Sequence, residues 1–151
     1  MKGLIIGATG ATGKDLLSQL LADDTYAEVH CFVRKPLALT HPKLHAHVVD
    51  FDTPEAWADL VRGDVAFSCL GTTLAVAGSK EAQWRIDYDY QYAFAQQCKA
   101  NGVPTFVLIS AAGATAQSKL FYNRMKGQLE DAMKRSEERR VGKECRSRWS
   151  P

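Results

Sequence analysis

Gly7-Ala8-Thr9-Gly10-Ala11-Thr12-Gly13 is the stretch that decides the fold. It follows the apolar run Leu4-Ile5-Ile6, which reads as the end of a buried strand over residues 2–6. It leads into an amphipathic helix pattern over residues 15–21, with Leu16, Leu17, Leu20 and Leu21 inward. A glycine-rich motif has physical meaning in that setting, between a strand and a helix. The sharp turn calls for backbone angles that glycine adopts cheaply. Missing side chains let a phosphate approach the main chain, where free N–H groups and the positive end of the helix dipole bind it. The stretch is expected to cradle the pyrophosphate of a dinucleotide. The rival phosphate loop, G-x-x-x-x-G-K-[ST], would need glycine at Ala8 and a hydroxyl at Asp15, so it fails at both ends.

Outward from the loop, apolar runs and helical patterns alternate. Further strands are expected at residues 28–33, 45–49, 65–69 and 105–110. Thr53-Pro54 opens a helix ended by Gly63, because threonine can cap and proline suits the first helical position. A longer helix is expected over residues 79–100, closed by Asn101-Gly102, and a last one over residues 118–134. In that last helix Leu120, Met125, Leu129 and Met133 are spaced for one side. Such alternation implies an α/β fold: a Rossmann-like, doubly wound parallel sheet of order 3-2-1-4-5, with ligands at the carboxyl ends of its strands.

The chain has 151 residues, room for one domain with a substantial core. No apolar run approaches the roughly 18 residues that span a bilayer, and no secretory signal opens the sequence. Neither a membrane partner nor export is expected, and the protein reads as cytoplasmic. The formal net charge is +2, and the segment from Ser136 to Pro151 supplies all of it. A neutral remainder removes the electrostatic case for nucleic acid, which needs a basic face on the folded domain. Cys31, Cys69, Cys98 and Cys145 are far apart, so reduced, mostly buried thiols are expected and no zinc or disulfide framework. The four histidines give no ligand spacing; His41, His45 and His47 crowd a loop and strand edge and read as surface residues, so no metal is expected.

After Arg135 apolar periodicity stops. The segment 136–151 resembles vector-derived read-through and is set apart from a domain at residues 1–135. On that reading the native chain is cut off and its remaining strands and helices are missing; the other reading is a basic interaction tail.

Cofactor choice is set after the second strand, where an acid would accept the ribose hydroxyls of NAD and arginine would accommodate the extra phosphate of NADP. The sequence has Val33-Arg34-Lys35 and no acid. NADP(H) is expected over NAD(H). Asp50, after the third strand, is placed to receive the adenine amino group or to cap its own loop.

The glycine stretch, Cys69-Leu70-Gly71-Thr72-Thr73, Arg85-Ile86-Asp87-Tyr88, Ser110-Ala111-Ala112-Gly113-Ala114 and Tyr122-x-x-x-Lys126-Gly127 follow in order. Together they resemble the atypical short-chain dehydrogenase/reductases, in particular the Tat-interacting-protein-like oxidoreductases. The resemblance covers residues 1–135 and implies cofactor contacts from Thr9, Gly10, Ala11 and Thr12, flanked by Gly7 and Gly13. It implies that Arg34 and Lys35 meet the 2′-phosphate, and that Leu70, Gly71 and Thr72 pass along the nicotinamide ribose. It also implies a catalytic set of Ser110, Tyr122 and Lys126. Tyr122 and Lys126, four residues apart, share a helix face. A tyrosine of ordinary pKa, about 10, is a poor base, and a neighbouring ammonium favours its phenolate. Tyr122 would then exchange a proton with a substrate oxygen while Lys126 holds the ribose hydroxyls, and Ser110 would orient the reacting oxygen.

One departure stands out: relatives often have Ser-Ser where this chain has Ser110-Ala111. The intact set Ser110, Tyr122 and Lys126 still favours what the resemblance implies, an NADP(H)-dependent oxidoreductase acting on a carbonyl or alcohol, while Ala111 leaves room for a protein without turnover. A dinucleotide-sensing regulatory protein without turnover is the alternative, and a nucleotide-sugar epimerase the third. The aromatic group Trp84, Tyr88, Tyr90, Tyr92 and Phe94 reads as helix packing, with a subunit contact in a homodimer as the family's other use of it.

Overall fold

The computed structural model describes residues 1–136. The tail set apart at 136–151, with Cys145, therefore lies outside the described residues but for Ser136. Five strands run β1 (Lys2–Ile6), β2 (Glu28–Val33), β3 (Leu44–Val48), β4 (Val65–Ser68) and β5 (Thr105–Leu108). They form one parallel sheet in the order β3-β2-β1-β4-β5, as the alternation implied. The helices are α1 (Ala11–Ala22), α2 (Leu74–Ala77), α3 (Lys80–Trp84), α4 (Tyr90–Ala100) and α5 (Phe121–Ser136).

The central strand shows why the sheet forms. Leu4, Ile5 and Ile6 are fully buried, because a parallel strand is covered on both faces. Leu4 and Ile6 pack with Phe32, Trp57, Val61 and Phe94 on one face. Ile5 packs with Leu17, Leu20, Leu21 and Tyr26 on the other. Successive residues on one strand thus serve two cores, the signature of a doubly wound sheet.

The chain divides into two compact units, Met1–Ile109 and the residues from Ser110 onward. The first holds all five strands and helices α1 to α4. The second holds the loop after β5 and helix α5. No described helix is long and apolar enough to cross a membrane.

Several expectations need correcting. Pro54–Leu60 is a 3-10 helix that stops before Gly63, and Thr53 does not cap it. Instead its hydroxyl faces the Asp50 carbonyl at 3.4 Å, while Trp57 Nε1 donates to the same oxygen at 2.8 Å. The single helix expected at 79–100 starts at the Ser79 cap, whose Oγ accepts from Ala82 N–H, but it widens to a π-helical turn at Arg85–Asp89. The short helix α2, capped by Thr73, was not foreseen. In α5, Met125, Leu129 and Met133 are buried, but Leu120 precedes the helix and is 67% exposed.

Cys31, Cys69 and Cys98 are free thiols. Burial pushes Cys31 and Cys98 up to about 12 and Cys69 to about 11. Thiolate is the reactive form, and each unit of pKa removes a factor of about ten from its population. Iodoacetamide at pH 8 should therefore label Cys31 and Cys98 at least a hundredfold more slowly in the native protein than in urea, scored by peptide mass mapping. Equal rates would show that these strands and helices open readily.

Candidate functional site

In a parallel sheet all strands end on the same edge, so the in-register pairing itself collects the loops that follow them. Ile6 lies beside Phe32 and Ser68, and Val33 lies beside Val48. The ladder continues through Val49 N–H to Val33 O at 2.8 Å and Cys69 N–H to Ile6 O at 3.0 Å. The glycine stretch, Arg34 and Lys35, Asp50, and Leu70 to Thr72 thereby share one edge of the first unit.

Each glycine has a different task. Gly7 turns the chain with φ +79°, and a Cβ there would sit 2.5 Å from the Cys69 carbonyl carbon. Gly13 lets α1 meet the loop: its Cβ would fall 2.0 Å from the Gly7 oxygen. Gly10 has ordinary angles, φ −76° and ψ 172°, and a Cβ there would meet only the Gly7 oxygen at 3.5 Å. Its bareness matters for what comes from outside. Gly10 sits at the N-cap of α1 without a side chain to occupy the first-turn amides, and no acid lies in that turn. Thr9, Gly10, Ala11 and Thr12 are all exposed. Exposed amides at a helix N-terminus, approached past a bare Cα, fit a pyrophosphate.

Arg34 and Lys35 are exposed directly after β2. Asp50 has one oxygen engaged locally, since Oδ1 accepts from Asp52 N–H at 2.9 Å and closes the loop after β3. In the same loop Tyr90 donates its hydroxyl to Asp52 at 2.7 Å; burial and that bond push the Tyr90 phenol up to about 12. A cavity of about 460 Å³ opens on the α1 side, lined in part by Lys14, Leu17, Leu37 and His41. It shares Ala8 and Thr9 with the loop but touches neither Asp50 nor Leu70 to Thr72, so it is not the groove along the sheet edge.

The segment Leu70-Gly71-Thr72 is held by residues whose role the sequence did not reveal. Asp87, fully buried in the π-helical turn, accepts from Thr72 N–H through Oδ2 at 3.1 Å. Gln83, also buried, donates to Thr72 O at 3.1 Å. Gln91 donates to the Asp87 carbonyl at 2.7 Å and accepts from Ser68 Oγ at 2.7 Å. A buried polar network of this kind fixes a loop because every partner left unmade costs about 1–3 kcal/mol. The helix widens where this network needs Asp87, in keeping with the frequent placement of π turns at functional sites.

The second unit carries the three residues assigned to chemistry. Lys126 is 2% exposed, with its Nζ over the Tyr122 ring at 5.7 Å from the centroid. Tyr122 is 40% exposed. Gly127 explains itself: a Cβ there would sit 2.1 Å from the Thr115 carbonyl carbon, so only glycine lets α5 lie against that loop. Ser110, two residues past β5, donates its hydroxyl to Glu130 at 2.6 Å. That proton must leave Glu130 before Ser110 can donate to a substrate oxygen. Ala111 brings no hydroxyl of its own.

Comparison with known proteins shows the family. A family profile described as NAD(P)H-binding matches residues 7–143. The mitochondrial protein FMP52 of Debaryomyces hansenii is 38% identical over 136 residues, covering 87% of this chain and 59% of the relative. Protein HTATIP2 of Rattus norvegicus is 36% identical over 130 residues, covering 83% and 53%. The oxidoreductase ylbE of Lactococcus lactis superposes with a TM-score of 0.73 at 23% identity, covering 91% of this chain and 65% of that structure. The chain thus spans under three fifths of the length of these curated relatives. The expectation of a cytoplasmic protein is overturned, because the FMP52 relatives are named mitochondrial. It rested on a missing secretory segment, which bears on export and not on import into an organelle. With its cofactor loops gathered on one sheet edge, the chain belongs to the NAD(P)H-binding family and is an atypical short-chain dehydrogenase/reductase of the Tat-interacting-protein-like kind.

Proposed function

We propose that the protein is an NADP(H)-dependent oxidoreductase that interconverts a carbonyl and an alcohol. The observation that carries the reading is the bare N-terminus of α1, with exposed Arg34 and Lys35 following β2 on the same edge. When bound, the reduced nicotinamide supplies a hydride to a carbonyl carbon. The remaining work falls to the chain. The first-turn amides of α1 hold the pyrophosphate, and Arg34 and Lys35 meet the 2′-phosphate. Tyr122 gives its phenolic proton to the carbonyl oxygen in reduction and takes it back in oxidation, with Lys126 favouring the phenolate between the two. Asp87 and Gln83 act as positioning residues for Leu70 to Thr72. Residues 1–135 form the cofactor domain on this reading, and 136–151 is not needed for it.

Affinity for the two cofactors tests the proposal. A 2′-phosphate held by arginine forms charge-assisted hydrogen bonds, worth about 1.5–3 kcal/mol each, which salt screens on an exposed surface. Titration calorimetry should give NADPH at least tenfold tighter than NADH, with the gap narrowing in salt and closing in Arg34→Ala. Equal affinities in the wild type would refute the preference.

A second reading has its own observation. Ser110 is bonded to Glu130 and Ala111 lacks a hydroxyl. Both suit a protein that binds the dinucleotide as a signal and does not turn over. Tight NADPH binding without activity on a broad carbonyl and alcohol panel would favour it.

A further inference from the structure

Glu28 and His30 stand two residues apart on β2, so both project from one face of the sheet. The parallel register places His45 beside His30 and His47 beside Phe32, which adds both β3 histidines to that face. One oxygen of Glu28, one ring nitrogen of His30 and one of His45 lie within 4.8 Å of one another. Glu28 Oε2 is 3.0 Å from His30 Nε2, and the His30 and His45 rings stack at 4.6 Å between centroids. His30 Nδ1 faces His47 Nε2 at 2.8 Å.

We propose that Glu28, His30 and His45 form a binding site for one first-row transition dication, Zn²⁺ in the first instance. The donor set decides the class of ion. Two imidazoles and one carboxylate suit zinc and its neighbours, whereas calcium and magnesium ask for oxygen ligands throughout. Zinc bonds of about 2.0–2.1 Å place tetrahedral ligands about 3.3 Å apart. Glu28 and His30 already meet that spacing. His45 is exposed, and Glu28 side-chain exposure is 51%, so both can close the remaining gap by rotation.

His47 completes the argument. Without an ion the His30 Nε2 proton points at Glu28 and Nδ1 accepts from His47. An ion on Nε2 takes the place of that proton, and the remaining N–H, now on Nδ1, donates to His47 Nε2. A metal-bound histidine almost always gives its second N–H to such an outer partner, which fixes the ring. Lys2 Nζ lies 4.0 Å from the same Glu28 oxygen, and an arriving dication competes with that pairing. The bound ion clamps the edge strand β3 to β2. None of this depends on the cofactor reading.

The tag-free 151-residue chain, stripped with chelator, should bind one Zn²⁺ per chain with micromolar or tighter affinity by calorimetry. Co²⁺ should develop visible d–d bands, and Zn²⁺ should raise the thermal midpoint. His45→Ala and Glu28→Gln should each weaken binding at least tenfold and abolish the thermal shift. His47→Ala should weaken it by about 10–100-fold, as loss of an outer partner does. His41→Ala, outside the cluster, should change nothing. His45 is exposed on an edge strand, so its variants fold; His45→Gln supplies a second one. Wild-type binding weaker than millimolar overturns the proposal, as does undiminished binding in both His45→Ala and Glu28→Gln.

Discussion

Gly13→Ala is expected to lower cofactor affinity by more than a hundredfold and to destabilise the protein by roughly 1–3 kcal/mol, as overpacking does. The added Cβ would lie 2.0 Å from the Gly7 oxygen and 2.8 Å from the Gly7 carbonyl carbon. Both obstacles are backbone, and neither can rotate aside. Helix α1 must therefore withdraw from the loop, straining the bond from Gly10 N–H to Gly7 O at 3.1 Å. The first-turn amides withdraw with it. Hydrogen bonds to a charged group are worth about 1.5–3 kcal/mol each, and 1.4 kcal/mol is a factor of ten, so losing two of them exceeds a hundredfold. Gly10→Ala separates the two effects. Its Cβ would meet only ordinary contact at 3.5 Å, and its φ of −76° suits any residue. The thermal midpoint should hold while affinity falls, because the new methyl occupies only the approach assigned to the pyrophosphate under the proposed function. A Gly13→Ala protein with wild-type midpoint and wild-type NADPH affinity would show that the helix does not rest on the loop.

What the sequence disclosed follows from where the signals are local. The glycine stretch and the fully apolar β1 sit side by side in the chain, and together they dictated a doubly wound sheet of the order observed. Strand β2 was read to the residue because five of its six positions are buried. The α2 helix escaped notice because three of its four residues are exposed, none is buried, and they carry no amphipathic pattern. Leu120 fitted the helical spacing of Met125 and Leu129, yet the chain turns just after it, and spacing alone cannot locate a helix start. Asp87 shows the deeper limit. The motif Arg85-Ile86-Asp87-Tyr88 was visible in the sequence, but it gave Asp87 no role, and only the tertiary fold reveals that this side chain holds the Thr72 amide. The Glu28, His30 and His45 cluster was missed for a related reason. Its members sit on two strands with no ligand spacing along the chain, and the register that pairs His30 with His45 exists only in the sheet. The visible clue was a pair of period-2 patterns, Glu28-x-His30 and His45-x-His47, in two neighbouring strand candidates.

Tyr122→Phe should reduce turnover by the roughly 10²–10⁴-fold that follows loss of a positioned acid/base group. The experiment belongs to a protein extended to the length of its relatives, of which this chain spans under three fifths. Phenylalanine keeps the ring over which the Lys126 ammonium lies, so the 5.7 Å cation–π contact and the burial of Lys126 both survive. Cofactor affinity should accordingly stay within about twofold, and the loss should fall on kcat. Lys126→Met removes a cation that is 2% exposed and assigned both to the ribose hydroxyls and to the phenolate, so it should damage affinity and kcat together. The double variant should be little worse than the poorer single one, since groups acting as one unit are not additive. Glu130→Gln probes the third member. Weakening the carboxylate that takes the Ser110 proton at 2.6 Å frees that hydroxyl to donate elsewhere, so activity should hold or rise. The pH–rate profile discriminates further: a limb belonging to Tyr122 should be present in the wild type and absent in Tyr122→Phe. An active wild type whose Tyr122→Phe variant keeps the full rate and the same limb would take the proton away from this tyrosine and leave the chemistry to another group.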